Sequence, residues 1–221
     1  MKTQILCKIK IMNIVVCLKQ VPDTQDIKWT EKGTMIREGV ESIINPFDEF
    51  ALEYALKIKD KIPSAKITAL SMGPMQAQNL LKVAIAKGAD EAILACDKKF
   101  AGADTYATGK TISNAIRKVL PDFDIVICGQ FAIDGDTAQT GPCIAQFLNI
   151  SQVTYVKEIL NYNDNTFTIK RELDNGIETV QVKSPVLICV LQSDFEPTRA
   201  LINGVIKANK KEIELLRAMT K

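Results

Sequence analysis

Short apolar runs recur along the chain, and most are followed by a polar loop and then by a segment with helical spacing. Runs that are apolar at every position are typical of parallel strands covered on both faces. Strands that alternate with helices predict right-handed crossover units and one parallel sheet. The predicted buried strands cover residues 14–18, 66–70, 91–95, 125–128 and 186–190.

The first long helix is the most clearly marked of the predicted helices. Phe47, Tyr54 and Ile58 recur on one face at helical spacing. Asn45 suits the N-cap and Pro46 suits the first helical position. Capping by itself accounts for Asn45, so the local sequence does not require a ligand there. Further helices are predicted over residues 75–87, 105–119 and 138–148.

Beyond Leu148 the chain changes to three strand-like segments, which cover residues 153–160, 166–173 and 177–182. The sequences Asn163-Asp164-Asn165 and Asp174-Asn175-Gly176 separate them as turns. This pattern predicts an antiparallel extension of the sheet. A smaller hairpin is predicted on either side of residues 31–33, and the segment from Thr198 has helical propensity with basic residues.

The segment over residues 128–142, here called the central loop, connects the fourth predicted strand to a helix. Ligands of open α/β sheets bind at the carboxyl ends of such strands. Gly129, Gly135 and Gly141 allow close approach to the backbone, and the first amides of a helix favour an anion. Side-chain donors come from Thr137, Gln139 and Thr140.

Ordinary turn and capping chemistry accounts for the central loop equally well. Gly, Asp and Thr are common at strand-to-helix turns, and either Asp136 or Thr137 suits the N-cap of the following helix. The spacing of the glycines matches no generic phosphate-binding motif. Local composition therefore leaves the ligand and the turn interpretations open.

Together these elements predict a single α/β domain over residues 1–221. Its core is an open, mainly parallel, doubly wound, Rossmann-like sheet with an antiparallel β extension and a C-terminal tail. Residues 1–11 are predicted to be an extension of little structural importance, because a start at Met12 opens directly on a strand.

Composition excludes two classes of partner. With 221 residues, of which 47% are hydrophobic and 24% charged, the chain can bury a sizeable core. A net charge of +2 gives no electrostatic reason to expect nucleic-acid binding. No apolar run approaches the roughly 20 residues that a membrane span requires. We therefore expect neither nucleic-acid binding nor membrane insertion.

The chain contains six cysteines and no histidine. No Cys-x-x-Cys pair occurs, so neither a disulfide framework nor a metal site is predicted, and a reducing, cytoplasmic location is expected. Without histidine, Ser-His and Cys-His catalytic units are excluded. A protein that moves electrons through a cofactor does not need histidine, because the cofactor carries the chemistry. We predict no catalytic side chain.

Several ordered motifs resemble those of the beta subunit of electron transfer flavoproteins, from about Met12 to about Ile213. They are specific because they occur in the same order with matching separations. The motifs are Val15-Val16-Cys17-Leu18-Lys19-Gln20-Val21-Pro22-Asp23, Ile44-Asn45-Pro46-Phe47-Asp48-Glu49, Ser71-Met72-Gly73-Pro74, Gly88-Ala89-Asp90, Gly102-Ala103-Asp104-Thr105, the central loop, Glu196-Pro197 and Ile206-Lys207-Ala208-Asn209-Lys210-Lys211.

The resemblance implies that this Rossmann-like fold is of the adenine-nucleotide-binding kind. It also implies an electron carrier rather than a stand-alone enzyme. It implies a heterodimer with an alpha subunit that carries a FAD, and a nucleotide in this chain: FAD in the bifurcating branch of the family, AMP in the housekeeping branch. An acyl-CoA-type or other dehydrogenase, or a ferredoxin-type acceptor, is the implied redox partner. Cofactor contacts are implied at Cys17, Asn45, Pro46, Phe47, Asp48, Met72, Gly102, Asp104, Thr105, Gln130, Asp134, Gly135, Asp136, Thr137, Ala138, Gln139, Thr140 and Gly141.

Two loops favour FAD over AMP. Gly135 and Ala138 stand where the housekeeping pattern has further acidic residues and an Asn, and residues 100–105 resemble the bifurcating type. Smaller side chains leave room for a larger ligand. The resemblance implies that the flavin accepts electrons as hydride from NADH. Asp104 and Thr105 either line the NADH side or only cap a helix.

Other interpretations remain beside this one. An AMP-binding structural beta subunit and a nucleotide-binding module without a redox role use the same central loop. An ATP-pyrophosphatase-type enzyme is set aside, because residues 18–23 lack a Ser-Gly-Gly-like loop. Residues 191–221 are expected to form a partner-docking loop and tail, in which Phe195 protrudes. The family usually continues past Lys221, so a reduced docking surface is expected.

Overall fold

The computed structural model describes residues 11–23, 28–29, 35–36 and 42–218. The predicted extension, apart from Ile11, and the turn of the small hairpin at residues 31–33 lie outside these ranges. Within the ranges, no helix has both the length and the apolar character that crossing a membrane demands.

The strands are short except in the antiparallel extension. They are β1 (Asn13–Cys17), β2 (Gln20–Pro22), β3 (Lys28–Trp29), β4 (Met35–Ile36), β5 (Ser42–Ile44), β6 (Lys66–Met72), β7 (Glu91–Ala95), β8 (Ile125–Gly129), β9 (Ser151–Asn163), β10 (Thr166–Leu173), β11 (Gly176–Lys183), β12 (Val186–Val190) and β13 (Glu214–Leu216). The α-helices are α1 (Pro46–Lys61), α2 (Gln78–Lys87), α3 (Thr105–Val119), α4 (Thr140–Leu148) and α5 (Ile202–Lys210).

One nine-stranded sheet organises the fold, with the strand order β11-β10-β9-β12-β8-β1-β6-β7-β13. From β9 through β12, β8, β1, β6 and β7 to β13, each strand runs parallel to its neighbour in the sheet. The remaining pairs, β9 with β10 and β10 with β11, are antiparallel. The carboxyl ends of β1 and β8 therefore lie side by side. The predicted mainly parallel sheet with an antiparallel extension is confirmed.

Helices cover both faces of the parallel sheet, as the continuous apolar strands predict. Ile14 and Val16 of β1 pack in one core cluster with residues of α1 and α2. Val15 and Cys17 pack in a second cluster with residues of α3 and α4. Successive side chains of a strand point to opposite faces, so β1 contributes residues to both core clusters. The sheet is doubly wound.

Three local predictions need correction. Helix α4 begins at Thr140 rather than at residue 138, because Ala138 has a φ of 55° that an α-helix does not accommodate. The stretch expected as a loop after β1 contains β2, which pairs antiparallel with β5. The basic tail forms α5 and then β13, a strand parallel to β7 at the sheet edge. The predicted small hairpin is confirmed by the pairing of β3 with β4.

Phe195 does not protrude. Its ring lies 5.6 Å from that of Phe50 and 5.6 Å from that of Tyr54, both on α1, and Lys57 Nζ lies 3.0 Å from its centroid. Glu53 accepts hydrogen bonds from the amide and the hydroxyl of Thr198. The segment after β12 is therefore folded onto α1, because burying an aromatic ring against two others removes apolar surface from water.

Candidate functional site

A cavity of about 510 Å³ opens at the carboxyl ends of β1 and β8, between the central loop and the loop after β7. All predicted site residues except Pro46 and Phe47 line it. Phe47 packs instead against Phe131, with ring centroids 5.4 Å apart. A cavity of about 840 Å³ lies elsewhere, between α1 and the antiparallel extension. We assign the candidate site to the smaller one, because ligands of open α/β sheets bind beyond the strands' carboxyl ends.

The buried carboxylate of Asp48 connects the two strand ends. The amide of Lys19 donates to its Oδ2 at 2.7 Å, and the amide of Gly129 donates to its Oδ1 at 3.0 Å. Asp48 lies in the first turn of α1, where the helix dipole favours a negative charge. Burial nevertheless raises the pKa of Asp48 to about 7, because its effect is larger than that of the two amide donors, which lower the pKa. Near neutral pH this carboxyl is present in both protonation states.

Replacing Asp48 with Asn is expected to remove a pH-dependent component of stability. A carboxyl whose pKa rises on folding from 3.8 to about 7 contributes stability at low pH that is lost as the pH rises between those values. Asn does not ionise, so the stability of Asp48→Asn relative to wild type should improve from about pH 5 to about pH 8. Urea unfolding at both pH values measures this difference, and a difference that is constant with pH would contradict the assignment.

Asn45 fastens the central loop to the start of α1. Its Nδ2 donates to the carbonyl of Phe131 at 2.7 Å, and its Oδ1 accepts from the amide of Ile133 at 3.2 Å. Asn45 occupies the N-cap position of α1, but its side chain caps no amide there. The interpretation that capping by itself accounts for Asn45 is therefore wrong. The side chain positions the loop that lines the cavity.

The glycines of the central loop have different roles. A Cβ on Gly129 would lie 2.5 Å from Oδ1 of Asp48, and a Cβ on Gly141 would lie 2.3 Å from Sγ of Cys189. Both positions exclude a side chain because of packing within the protein. A Cβ on Gly135 would meet nothing within 4 Å. Of these three glycines, Gly135 alone leaves open space, so the expectation that all three serve ligand approach is corrected.

Charge at the cavity is arranged by Lys19 and Asp134. Lys19 Nζ lies 2.5 Å from Oδ1 of Asp134, and the Lys19 side chain stays 48% exposed. An ion pair with this much exposure contributes about 1 kcal/mol or less to stability. Its consequence for the site is that the Asp134 carboxylate is paired with a cation, which reduces its repulsion of an anionic ligand.

The start of α4 offers amides to the cavity. Asp136 and Ala138 have φ values of 49° and 55°, a conformation that costs a residue with a side chain about 1–3 kcal/mol and is concentrated at functional sites. Gln139 is the N-cap, and no side chain caps the helix. The expectation that Asp136 or Thr137 is the cap is wrong. The first amides of α4 therefore remain available to an anion at the positive end of the helix.

The start of α3 borders the same cavity. Asp104 is its N-cap, and Oδ1 of Asp104 accepts from the amide of Ala107 at 2.8 Å, which confirms the capping interpretation for this residue. The hydroxyl of Thr105 donates to Oε1 of Gln139 at 3.2 Å. This bond joins the loop after β7 to the central loop. Two helix starts thus meet at one cavity: the Asp104 carboxylate already occupies the start of α3, whereas the start of α4 has no side-chain cap and remains open to an anion.

Cys17, Cys128 and Cys189 are buried at or near the carboxyl ends of β1, β8 and β12. A hydrogen bond with Cys17, together with burial, raises the pKa of the Cys128 thiol well above its usual range. Burial raises the pKa of Cys189 to about 12. Protonated thiols are weak nucleophiles, so neither group suits covalent catalysis. Across the described part of the chain, no group of His, Cys, Asp and Glu side chains is arranged to hold a metal ion.

The sequence did not mark every residue of the cavity. Lys19 and Phe100 line it from the loops that follow β1 and β7, and Thr108 and Ile112 line it from α3. Treating the whole loop after each parallel strand as part of the site would have found the first two. Thr108 and Ile112 lie one turn apart on the same side of the helix, but only the packing of α3 determines which side faces the cavity.

Comparison with known proteins identifies related chains. Residues 32–220 match the electron transfer flavoprotein domain family. The chain is 50% identical over 209 residues to electron transfer flavoprotein subunit beta of Thermoanaerobacterium thermosaccharolyticum, covering 94% of this chain and 79% of that protein. It is 44% identical over 205 residues to caffeyl-CoA reductase-Etf complex subunit CarD of Acetobacterium woodii, covering 92% and 78%. It is 42% identical over 208 residues to acryloyl-CoA reductase electron transfer subunit gamma of Anaerotignum propionicum, covering 93% and 77%.

Proposed function

Since this chain belongs to the electron transfer flavoprotein beta subunit family, we propose that it forms a heterodimer with an alpha subunit and binds a FAD of its own. In this role it passes electrons between NADH and a dehydrogenase or ferredoxin-type acceptor, by flavin-based electron bifurcation. The observation that carries the proposal is the cavity at the carboxyl ends of β1 and β8, which two helix starts border and which is open beside Gly135.

The residues around the cavity fit an extended anionic nucleotide. A volume of about 510 Å³ is within the usual range for small-molecule sites. A Cβ on Gly135 or on Gly102 would meet nothing within 4 Å, so both neighbouring loops leave room for more than a mononucleotide. The uncapped start of α4 supplies amides for the pyrophosphate. The pairing of Asp134 with Lys19 limits repulsion.

Each part of the site then has a defined task. Bound FAD supplies the redox chemistry, so no side chain of this chain is oxidised or reduced. Thr137 and Thr140 donate to the phosphates, and Asp136 accepts from sugar hydroxyls. Asn45 and Asp48 orient the central loop and the strand ends, and Thr105 borders the side from which NADH approaches. The five described cysteines are free, which agrees with a reducing, cytoplasmic location.

An AMP-binding beta subunit is the second candidate. The hydrogen bond between Thr105 and Gln139 favours it, because this bond joins the two loops between which FAD must extend. A mononucleotide needs only the phosphate cradle and an adenine slot and leaves the bond intact. In that case the alpha subunit's FAD carries the electrons, and this chain has a structural role.

Release of the bound nucleotides tests the two candidates directly. We expect the purified heterodimer, denatured and analysed by chromatography, to release two FAD and no AMP. We also expect NADH to bleach the visible absorption of both flavins. One FAD and one AMP for each heterodimer would contradict the proposal and establish the second candidate. Release of no nucleotide from this chain would contradict both.

We further propose that residues 191–218 dock a partner protein, with the alpha subunit as the first candidate. The apolar group that supports this is not Phe195, which packs on α1, but Leu201 and Ile202 at the start of α5. These two residues are 74% and 80% exposed. Adjacent apolar side chains at such exposure are typical of interaction sites.

A double substitution, Leu201→Asp with Ile202→Asp, is expected to weaken binding of the alpha subunit or of the dehydrogenase by at least about tenfold, because burying two carboxylates at an interface is unfavourable. It is a sharper change than deleting residues 192–199, which also removes the contacts of Phe195. Ile177→Asp is the matched control, since Ile177 is 65% exposed on β11. Co-purification and titration measure binding, and unchanged binding of both partners would contradict the docking proposal.

A further inference from the structure

Phe100 lies between the candidate nucleotide cavity and a second, smaller cavity. It lines the nucleotide cavity together with Gly102 and Thr105 of the same loop. It also lines a cavity of about 210 Å³ whose wall includes Leu216 and Ala218. Phe100 is therefore shared by the wall of the proposed ligand site and by the wall that contains the segment at β13. Any shift of that segment changes the support behind Phe100.

That segment is part of a strap, defined here as residues 201–218, which contains α5 and β13. The strap is held at its first half by close packing: a Cβ on Gly204 would lie 2.0 Å from the carbonyl oxygen of Ala86 on α2. It is held at its second half by the pairing of β13 with β7. The amide of Cys96 extends this pairing by donating to the carbonyl of Leu216 at 2.9 Å.

The carboxylate of Asp97 joins the strap to the loop that carries Phe100. Its Oδ2 accepts from the amide of Ala218 at 3.1 Å, and its Oδ1 accepts from the amide of Lys99 at 3.0 Å. Lys99 directly precedes Phe100 in a short 3-10 turn. One side chain therefore fixes the end of the strap and the start of the loop at the same time.

We propose that the strap positions Phe100 as a wall of the nucleotide cavity and that Asp97 is the residue that transmits its position. The inference rests on the proposed nucleotide site. The amides of Lys99 and Ala218 lower the pKa of the Asp97 carboxyl, so it is ionised at neutral pH and accepts both bonds at full charge. Asp97 is a positioning residue, because Phe100 and not Asp97 lines the nucleotide cavity.

The arrangement has a specific energetic consequence. Removing the Asp97 carboxylate leaves the sheet and its cores intact, since β7 keeps its pairing with β6. It frees the 3-10 turn from the strap, so Phe100 samples more positions and the nucleotide must order it on binding. Ordering a loop and a side chain on binding costs affinity. Loss of strap packing at Leu216 acts on the same wall and therefore should not add to the loss at Asp97.

A double-mutant cycle on nucleotide affinity tests the inference. The heterodimer is stripped of its nucleotides, the alpha site is refilled, and FAD and AMP are each titrated by calorimetry into wild type, Asp97→Ala, Leu216→Ala and the double variant. We expect each single variant to raise the Kd of the better-bound nucleotide by about tenfold. The Kd of the double variant should be no higher than that of the more affected single variant. Asp97→Asn keeps one acceptor oxygen and should lie between Asp97→Ala and wild type.

Glu214→Ala is the matched control, because Glu214 is an exposed carboxylate on β13 itself. It should bind like wild type, and urea unfolding should show that Asp97→Ala and Asp97→Asn remain folded. Wild-type affinity in Asp97→Ala, or additive losses in the double variant, would overturn the inference while leaving the nucleotide site standing. Failure of wild type to bind either nucleotide would instead overturn the proposed function, and this inference with it.

Discussion

Gly135→Val is expected to weaken nucleotide binding at this chain's own site in the heterodimer by at least about tenfold, while the far-ultraviolet circular dichroism stays near that of wild type. A Cβ at this position would meet no protein atom within 4 Å, and the residue is exposed in the central loop. The branched side chain therefore fits the folded chain but occupies the space beside the α4 start, where a phosphate or ring has to approach.

Two comparisons separate this effect from a change in the loop itself. Gly135→Ala adds one methyl group and should lower occupancy less than Gly135→Val. Gly176→Val changes the glycine at the start of β11, where a Cβ also meets nothing within 4 Å, although its φ of 148° strains any side chain. That variant should keep full occupancy even if it is less stable. Full occupancy in Gly135→Val would mean that Gly135 is only a turn residue.

Gly129→Ala is expected to destabilise the folded chain by about 3 kcal/mol. The added Cβ would lie 2.5 Å from Oδ1 of Asp48, 2.6 Å from Cβ of Phe47 and 2.7 Å from the Phe47 carbonyl carbon. The last contact is with backbone, so a rotamer change does not relieve it. The start of α1 must move away from β8, and the hydrogen bond between the Gly129 amide and Asp48 is strained or lost.

Urea unfolding of the purified chain measures the effect of Gly129→Ala, with Gly135→Ala as the control in the same loop. The control should change the free energy of unfolding by less than about 0.5 kcal/mol, since it adds a methyl group to open space. A loss below about 1 kcal/mol in Gly129→Ala would contradict the packing role assigned to this glycine. The two variants together separate the structural glycine from the ligand-facing one.

The sequence by itself determined the class of fold and the edge at which the site lies. Fully apolar strands such as residues 125–128, alternating with amphipathic helices, are typical of a parallel sheet that helices cover on both faces. The turn sequences of the extension set its strand boundaries to within a few residues, because Asn-rich and Gly-containing turns have local backbone requirements. The position of the central loop after a parallel strand placed most predicted residues at one cavity.

The role of individual side chains needed the tertiary structure. Asn45 has the local context of a cap, yet its amide holds Phe131 and Ile133, residues far away in the chain. Gly141 has the context of a helix start, yet its lack of a side chain accommodates Cys189 of β12. Asp104, by contrast, is the cap that its context predicts, because its partner Ala107 is three residues away.

Only the tertiary structure decided where the segments after β12 go. Phe195 is apolar and follows a strand, and nothing local to it indicates that rings on α1 will cover it. Residues 214–216 have no long apolar run, yet they pair with β7 at the edge of the sheet. They lie there because α5, which precedes them, packs on α2. Local periodicity reports which face of an element is buried, whereas the identity of the covering partner depends on contacts between residues distant in sequence.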